Sequence, residues 1–105
     1  SPALTKAIAY IDENYMKQLD LNSISESAGV SSQHLCRLFR QTLNCRPMEY
    51  ITKRKIQAAK ILLTETQLTI EQIAEETGFC DSSYFCKIFK RNECITPYIH
   101  NLYLL

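Results

Sequence analysis

The sequence repeats itself. Shifted by 50 positions, Cys36-Arg37-Leu38-Phe39-Arg40 falls on Cys86-Lys87-Ile88-Phe89-Lys90, and Pro47 falls on Pro97. Upstream of that block the shift is 49: Ile24 meets Ile73, Gly29 meets Gly78 and Val30 meets Phe79. The second copy therefore carries one extra residue just after its glycine. An ordered repeat of this length inside 105 residues points to two like supersecondary units within one ordinary domain's worth of chain.

Each copy reads as two short helices with a glycine between them. In the first, Ile24 and Ala28 precede Gly29, and Val30, Leu35, Leu38 and Phe39 follow at helical spacings of three and four. Glycine suits the turn because it takes positive φ without a Cβ clash. Ser31 is placed to cap the helix that follows. In the second copy Thr69-Ile70-Glu71-Gln72 reads as a capping box. Ile73, Thr77, Gly78 and Phe79 come next, Asp81 caps, and Phe85, Ile88 and Phe89 form the inward face. Helix, tight turn and helix on a fixed apolar frame is the helix-turn-helix pattern.

Further helices frame the two copies. Leu4, Ala7, Ile8, Ile11 and Tyr15 mark a first one. Pro47 opens a longer one that runs to about Leu63, with Met48, Ile51, Ile56, Ala59, Leu62 and Leu63 as its apolar stripe. Thr96-Pro97 opens a last short one. No strand is expected, and only two glycines and three prolines punctuate the chain. The fold expected is all-α, with about seven helices in a homeodomain-like arrangement. A first helix-turn-helix subdomain over 1–46 and a second over 64–105 are joined by a linker helix over 47–63.

The formal charge of +1 conceals a strong pattern. Residues 1–36 sum to −2, 37–60 to +6, 61–81 to −5 and 82–105 to +2. The +6 block holds Arg37, Arg40, Arg46, Lys53, Arg54, Lys55 and Lys60 against Glu49 alone, which favours an anionic partner, with a solvated helix face as the equal alternative on charge alone. Opposite the apolar stripe, the second helix of the first copy carries Ser32, Gln33, Cys36, Arg37 and Arg40. Its counterpart carries Ser82, Ser83, Cys86, Lys87 and Lys90. Gln pairs bidentately with adenine, Arg with guanine, and Lys reaches guanine or phosphate.

Five cysteines, an odd number, do not read as a disulfide scaffold. With no signal-like leader and no membrane-length apolar run, reduced thiols in a cytosolic, membrane-free setting are the expectation. Cys80 and Cys86 lie six apart, without the short spacing of a zinc knuckle, and Cys94 and His100 are no better placed. A metal site and a redox pair are therefore weighed against packing or groove contact, and the last is preferred, with no metal or cofactor. His34 either reaches phosphate or packs locally. No nucleophile, base and orienting group are brought together, so an enzyme is not expected.

These residues carry a resemblance. The chain resembles the DNA-binding domain of AraC/XylS-family transcriptional regulators over nearly its whole length. The resemblance is carried by Leu35, Arg37, Leu38-Phe39, Pro47, Tyr50, Ile56, Ala59 and Leu62-Leu63. In the second half it is carried by Ile73-Ala74-Glu75-Glu76-Thr77-Gly78-Phe79, Asp81, Ser83-Tyr84-Phe85, Phe89-Lys90 and Thr96-Pro97. It implies specific binding to double-stranded DNA and transcription regulation, usually activation, in a bacterial cytoplasm on the nucleoid. Recognition helices over about 32–43 and 82–92 would enter successive major grooves. Gln33, Cys36, Arg37, Ser82, Ser83, Cys86 and Lys87 would face bases. Ser32, Arg40, Lys53, Arg54, Thr69, Gln72 and Lys90 would lie near the phosphate backbone. RNA polymerase would be a partner, and an N-terminal sensor or receiver domain would belong to the parent chain, of which this sequence would be a fragment. The family pattern is left where Asn44 replaces a glycine, where Glu93-Cys94 replaces aromatic-Gly, where His100-Asn101 replaces Tyr-Arg, and in the apolar tail from Leu102 to Leu105. Asn tolerates positive φ, but Cys does so poorly. A rival expectation is a helical protein-interaction module, with the acidic stretch from Glu65 to Asp81 as its docking face and no DNA binding.

Overall fold

A computed structural model describes residues 1–103, and side chains through His100. The apolar tail lies outside the described side chains. Seven helices follow one another: α1 Pro2–Asn14, α2 Leu21–Ala28, α3 Ser32–Leu43, α4 Pro47–Glu65, α5 Ile70–Glu76, α6 Ser82–Glu93 and α7 Pro97–Tyr103. Among the described residues there is no strand. The all-helical expectation is met. The chain divides into two compact units, residues 1–54 and 55–105, and the division falls within α4.

Unit 1 packs α1, α2 and α3 around Leu4, Ala7, Ile11, Ile24, Ala28, Leu35 and Phe39, with Cys45 and Ile51 closing the cluster. Unit 2 does the same with the second half of α4, α5 and α6, around Ile56, Ala59, Leu63, Ile70, Ile73, Ala74, Phe79, Phe85, Ile88 and Phe89. The repeat thus reaches further back than the helix-turn-helix. Leu4, Ala7 and Ile11 of α1 recur as Ile56, Ala59 and Leu63 of α4, with the same spacing of three and four. It also reaches further forward. Tyr50 stands edge-on to Phe39 at 5.7 Å, and His100, 50 residues on, stands edge-on to Phe89 at 5.4 Å. Such edge-to-face contacts add to simple burial.

The turns are built alike. Asp20 and Thr69 cap α2 and α5, the latter with the full capping box to Gln72. Gly29 has φ of 71° and Gly78 of 84°. In each copy the glycine N–H donates to the carbonyl three residues back, Glu26 or Glu75. The next N–H, of Val30 or Phe79, reaches five back to Ser25 or Ala74. These bonds satisfy carbonyls that the helix end would otherwise leave open. Ser31 and Asp81 then accept from the His34 and Tyr84 amides and start α3 and α6. The residue inserted in the second copy is Cys80, which is exposed.

One expectation is corrected. Met48 is 45% exposed and is no part of the α4 stripe, whereas Ala58, not foreseen, is buried. Pro47 sets the helix start, so residue 48 falls in the first turn, before the stripe comes round to the core. Ile8 and Tyr15 are only half-buried at the edge of the unit 1 core.

Both second helices end on a left-handed residue, Asn44 at φ 54° and Cys94 at φ 67°. A side chain with a Cβ pays ~1–2 kcal/mol there, and Asn offsets part of it by local hydrogen bonding. Cys94→Gly should therefore raise unfolding free energy by about 1 kcal/mol, read by urea denaturation. Phe89→Ala, which removes a fully buried ring, should lower it by ~3–5 kcal/mol. A Cys94→Gly variant no more stable than its parent would show that the cap carries no strain.

Candidate nucleic-acid interface

The two second helices present comparable faces. On α3, Gln33, Arg37 and Arg40 are exposed, while Ser32 and Cys36 are half-buried. On α6, Ser83, Lys87 and Lys90 are exposed, while Ser82 and Cys86 are half-buried. The apolar residues that turn these faces outward, Leu35 and Phe39, Phe85 and Phe89, are fully buried. Arg40, and Lys90 with Arg91, also sit in the last turns, where cations favour the helix dipole.

The serines differ. Ser32 Oγ donates to Asn22 Oδ1 at 3.3 Å and lies 3.3 Å from the Ser25 hydroxyl, itself buried. This side chain is occupied in fixing the start of α3 against α2. Thr69 and Gln72 likewise spend their side chains on the cap of α5, at 3.1 and 2.9 Å, although both remain exposed.

The basic block is less free than its charge suggests. Lys53 is exposed, and Arg46 is exposed. Arg54 instead donates to Asp12 at 3.2 Å and lies over the Tyr15 ring at 4.5 Å from its centre. Lys60 is paired with Glu93 at 2.9 Å. Lys55 is turned inward: its Nζ donates to the Gly78 carbonyl at 2.9 Å and sits 5.6 Å from the centre of the Phe79 ring. Burial lowers its pKa, and the neighbouring Cys80 thiol opposes that shift. Three cations of the +6 block are thus committed inside their own units. Sequence spacing could not separate them from Lys53, because α4 serves two cores and its polar faces change role along its length.

Cys86 packs against the unit 2 core. It lies at the seam between the buried and exposed faces of α6, not at the centre of the outer face. Burial, and then the Glu71 carboxylate, hold its thiol pKa above the ordinary value. All five cysteines are free, and among the described residues no three His, Cys, Asp or Glu side chains gather as metal ligands would. No helix among the described residues is long and apolar enough to cross a membrane. Two exposed residues of α6 escaped the sequence reading: Arg91, in its last turn, and Tyr84, tilted against Phe79 at 6.2 Å. The repeat partner of Tyr84 is His34, also exposed, and that pairing was the available signal.

This paired arrangement has close parallels. The family model for a helix-turn-helix domain matches residues 24–98. The chain is 37% identical over 98 residues to the uncharacterized HTH-type transcriptional regulator YijO of Escherichia coli, covering 92% of this chain and 35% of that protein. It is 31% identical over 86 residues to the lactose operon transcription activator of Staphylococcus xylosus, covering 82% of this chain and 31% of that protein. A solved transcriptional regulator with an AraC-type DNA-binding domain, from Chromobacterium violaceum, superposes with a TM-score of 0.91 at 31% identity. That match covers 96% of this chain and 90% of the other. The chain belongs to the AraC-type family of helix-turn-helix DNA-binding domains found in transcriptional regulators. It spans about a third of the length of the curated relatives it matches.

Two outcomes check this geometry. Lys55→Met leaves the Gly78 carbonyl without its donor and should cost ~1–3 kcal/mol, whereas Lys53→Met, at an exposed position, should stay within ~0.5 kcal/mol; chemical denaturation reads both. At pH 8, iodoacetamide should label exposed Cys80 well before Cys86, since the thiolate is the reactive form. Peptide mass spectrometry that found equal rates would contradict the packing of Cys86.

Proposed function

We propose that this domain binds a specific duplex DNA site by setting α3 and α6 into the major groove, and that it activates transcription from there. The observation that carries the reading is the pair of polar, cationic helix faces backed by buried frames of the same spacing. Gln33 and Arg37 on α3, and Ser83 and Lys87 on α6, read base edges. Arg40, Lys53 and Lys90 neutralise phosphate. Cys36, Ser82 and Cys86 line the approach as small groups that admit close contact. Ser32, Thr69 and Gln72 act nearer the backbone, with side chains already tied to the fold, and Arg54 reaches phosphate only by leaving Asp12. An additional sensor or receiver domain in the parent chain and contact with RNA polymerase complete the proposal, in a bacterial cytoplasm at the nucleoid. The share of each relative's length left unmatched supports the additional domain, and the name of the Staphylococcus relative supports activation.

Charge-driven binding has a measurable slope. Log affinity should fall with log salt by about 0.9 for each phosphate neutralised. Arg37→Ala should cost ~1–3 kcal/mol and relax preference at one base pair. Lys53→Ala should weaken all sequences alike and lower the slope by about 1. Fluorescence anisotropy with a site selected from a random duplex pool measures all three. A slope near zero would defeat the DNA reading and leave a protein-interaction module in its place.

A further inference from the structure

The two units hold their recognition helices by different means. In unit 1 the start of α3 is tied to α2 by side chains: Ser32 Oγ donates to Asn22 Oδ1 at 3.3 Å and lies 3.3 Å from the Ser25 hydroxyl. At the place of Ser25, unit 2 has Ala74, buried in the core, which has no hydroxyl to offer. The tie in unit 2 comes instead from α4. Lys55 Nζ donates to the Gly78 carbonyl at 2.9 Å and stands 5.6 Å from the centre of the Phe79 ring. That ring lies 5.0 Å from Phe85 and 6.2 Å from Tyr84, both in the opening turn of α6. One half-buried ammonium thus holds the carbonyl of the left-handed glycine and the face of the aromatic group on which α6 begins. In unit 1 the matching place, one residue before Leu4, is Ala3, which has no donor.

We propose, on the reading of α3 and α6 as groove-entering helices, that Lys55 is the positioning residue of unit 2. By tying α4 to the turn between α5 and α6, it sets the angle at which α6 presents Ser83 and Lys87 to the bases, and it does so without touching DNA. Its ammonium is committed to a carbonyl and a ring face, whereas Lys53 on the same helix is exposed. Phosphate contacts tolerate a small shift of α6, because the attraction between charges falls off slowly and the cationic arms are long. Hydrogen bonds to base edges do not, because they weaken steeply outside a narrow range of distance and angle. Releasing the turn therefore costs specific binding more than non-specific binding.

The test uses the whole chain with two duplexes, a site selected from a random pool and a random sequence. Anisotropy reads both, and thermal melts confirm that each variant is folded at the assay temperature. Lys55→Met should weaken the selected site by about three- to tenfold. It should leave affinity for the random duplex within about 1.5-fold and the salt slope unchanged. Reselection from the pool should show relaxed preference at the base pairs that Lys87→Ala relaxes, and at none that Arg37→Ala relaxes. Lys55→Arg keeps a charged donor and should hold the selected site to within about twofold of the parent. Ile73→Val trims the unit 2 core without removing the tie, so it should lower stability and leave both affinities alone. If the Lys55→Met chain melts below the assay temperature, Lys55→Gln, neutral and shorter, takes its place with the same expectation. The proposal is overturned if loss of the lysine leaves the selected site bound as tightly as by the parent, or if Ile73→Val loses as much affinity. It is equally overturned if both duplexes weaken together and the salt slope drops by about 1, which would make Lys55 a phosphate clamp. A parent chain that binds no duplex, or binds one without regard to salt, would defeat the DNA reading itself.

Discussion

Each unit depends on one residue with positive φ. At Gly29 and Gly78 the backbone turns left-handed, and two amide donors fold back onto the helix just ended. The turn has to be made this way because the next apolar residue, Val30 or Phe79, must dock within one or two positions of the helix end. At Gly29 a Cβ would meet nothing within 4 Å, so the demand there is on the dihedral angle and not on space. In unit 2 the turn has an additional tie, from Lys55 to the Gly78 carbonyl. The exit direction of each recognition helix follows from these few bonds and the cap beyond them.

Around that shared frame the polar surface has diverged. Unit 1 joins its two motif helices with hydroxyl and amide groups, from Asn22, Ser25 and Ser32. At the matching places unit 2 has Glu71, Ala74 and Ser82, and there Ala74 is buried in the core. A neutral network in one copy is replaced by apolar packing and an open charge in the other. Burial constrains the inward positions to a narrow set of shapes, while exposed positions are free to change sign. That is why α2 and α5 agree in their apolar residues and differ in most of their polar ones, while the outer faces of α3 and α6 keep a serine and two cations in register.

The same physics decides how much was legible in advance. Caps, turns and helix spans could be read because each rests on local chemistry: Ser31, Thr69 with Gln72, Asp81 and the two glycines all act within a few residues of themselves. The outward faces of α3 and α6 followed from the period of Leu35, Phe39, Phe85 and Phe89. What escaped was tertiary. Nothing local tells Lys55 from Lys53, yet one bonds a carbonyl 23 residues away and the other faces solvent. Arg54 and Asp12 are 42 residues apart. Cys86 looked like an outer-face residue by helix phase alone, but the core of unit 2 is broad enough to reach its flank. The kinship of α1 with the second half of α4 was missed for another reason. Only three apolar residues carry it, at a different offset, across loops of unequal length.

That kinship makes α4 both the last helix of one copy and the first of the next. Its opening turn brings Tyr50 to Phe39 and Ile51 to the first core, and its later turns bring Ile56, Ala59 and Leu63 to the second. Pro97 and His100 place α7 where the opening of α4 stands in unit 1. One helix therefore supplies core residues to both units, its opening turn to the first and its later turns to the second. A cut at either visible end of α4 would strip core residues from one unit. A helix prolonged beyond α7 with apolar residues at the right period would already be the first layer of a third.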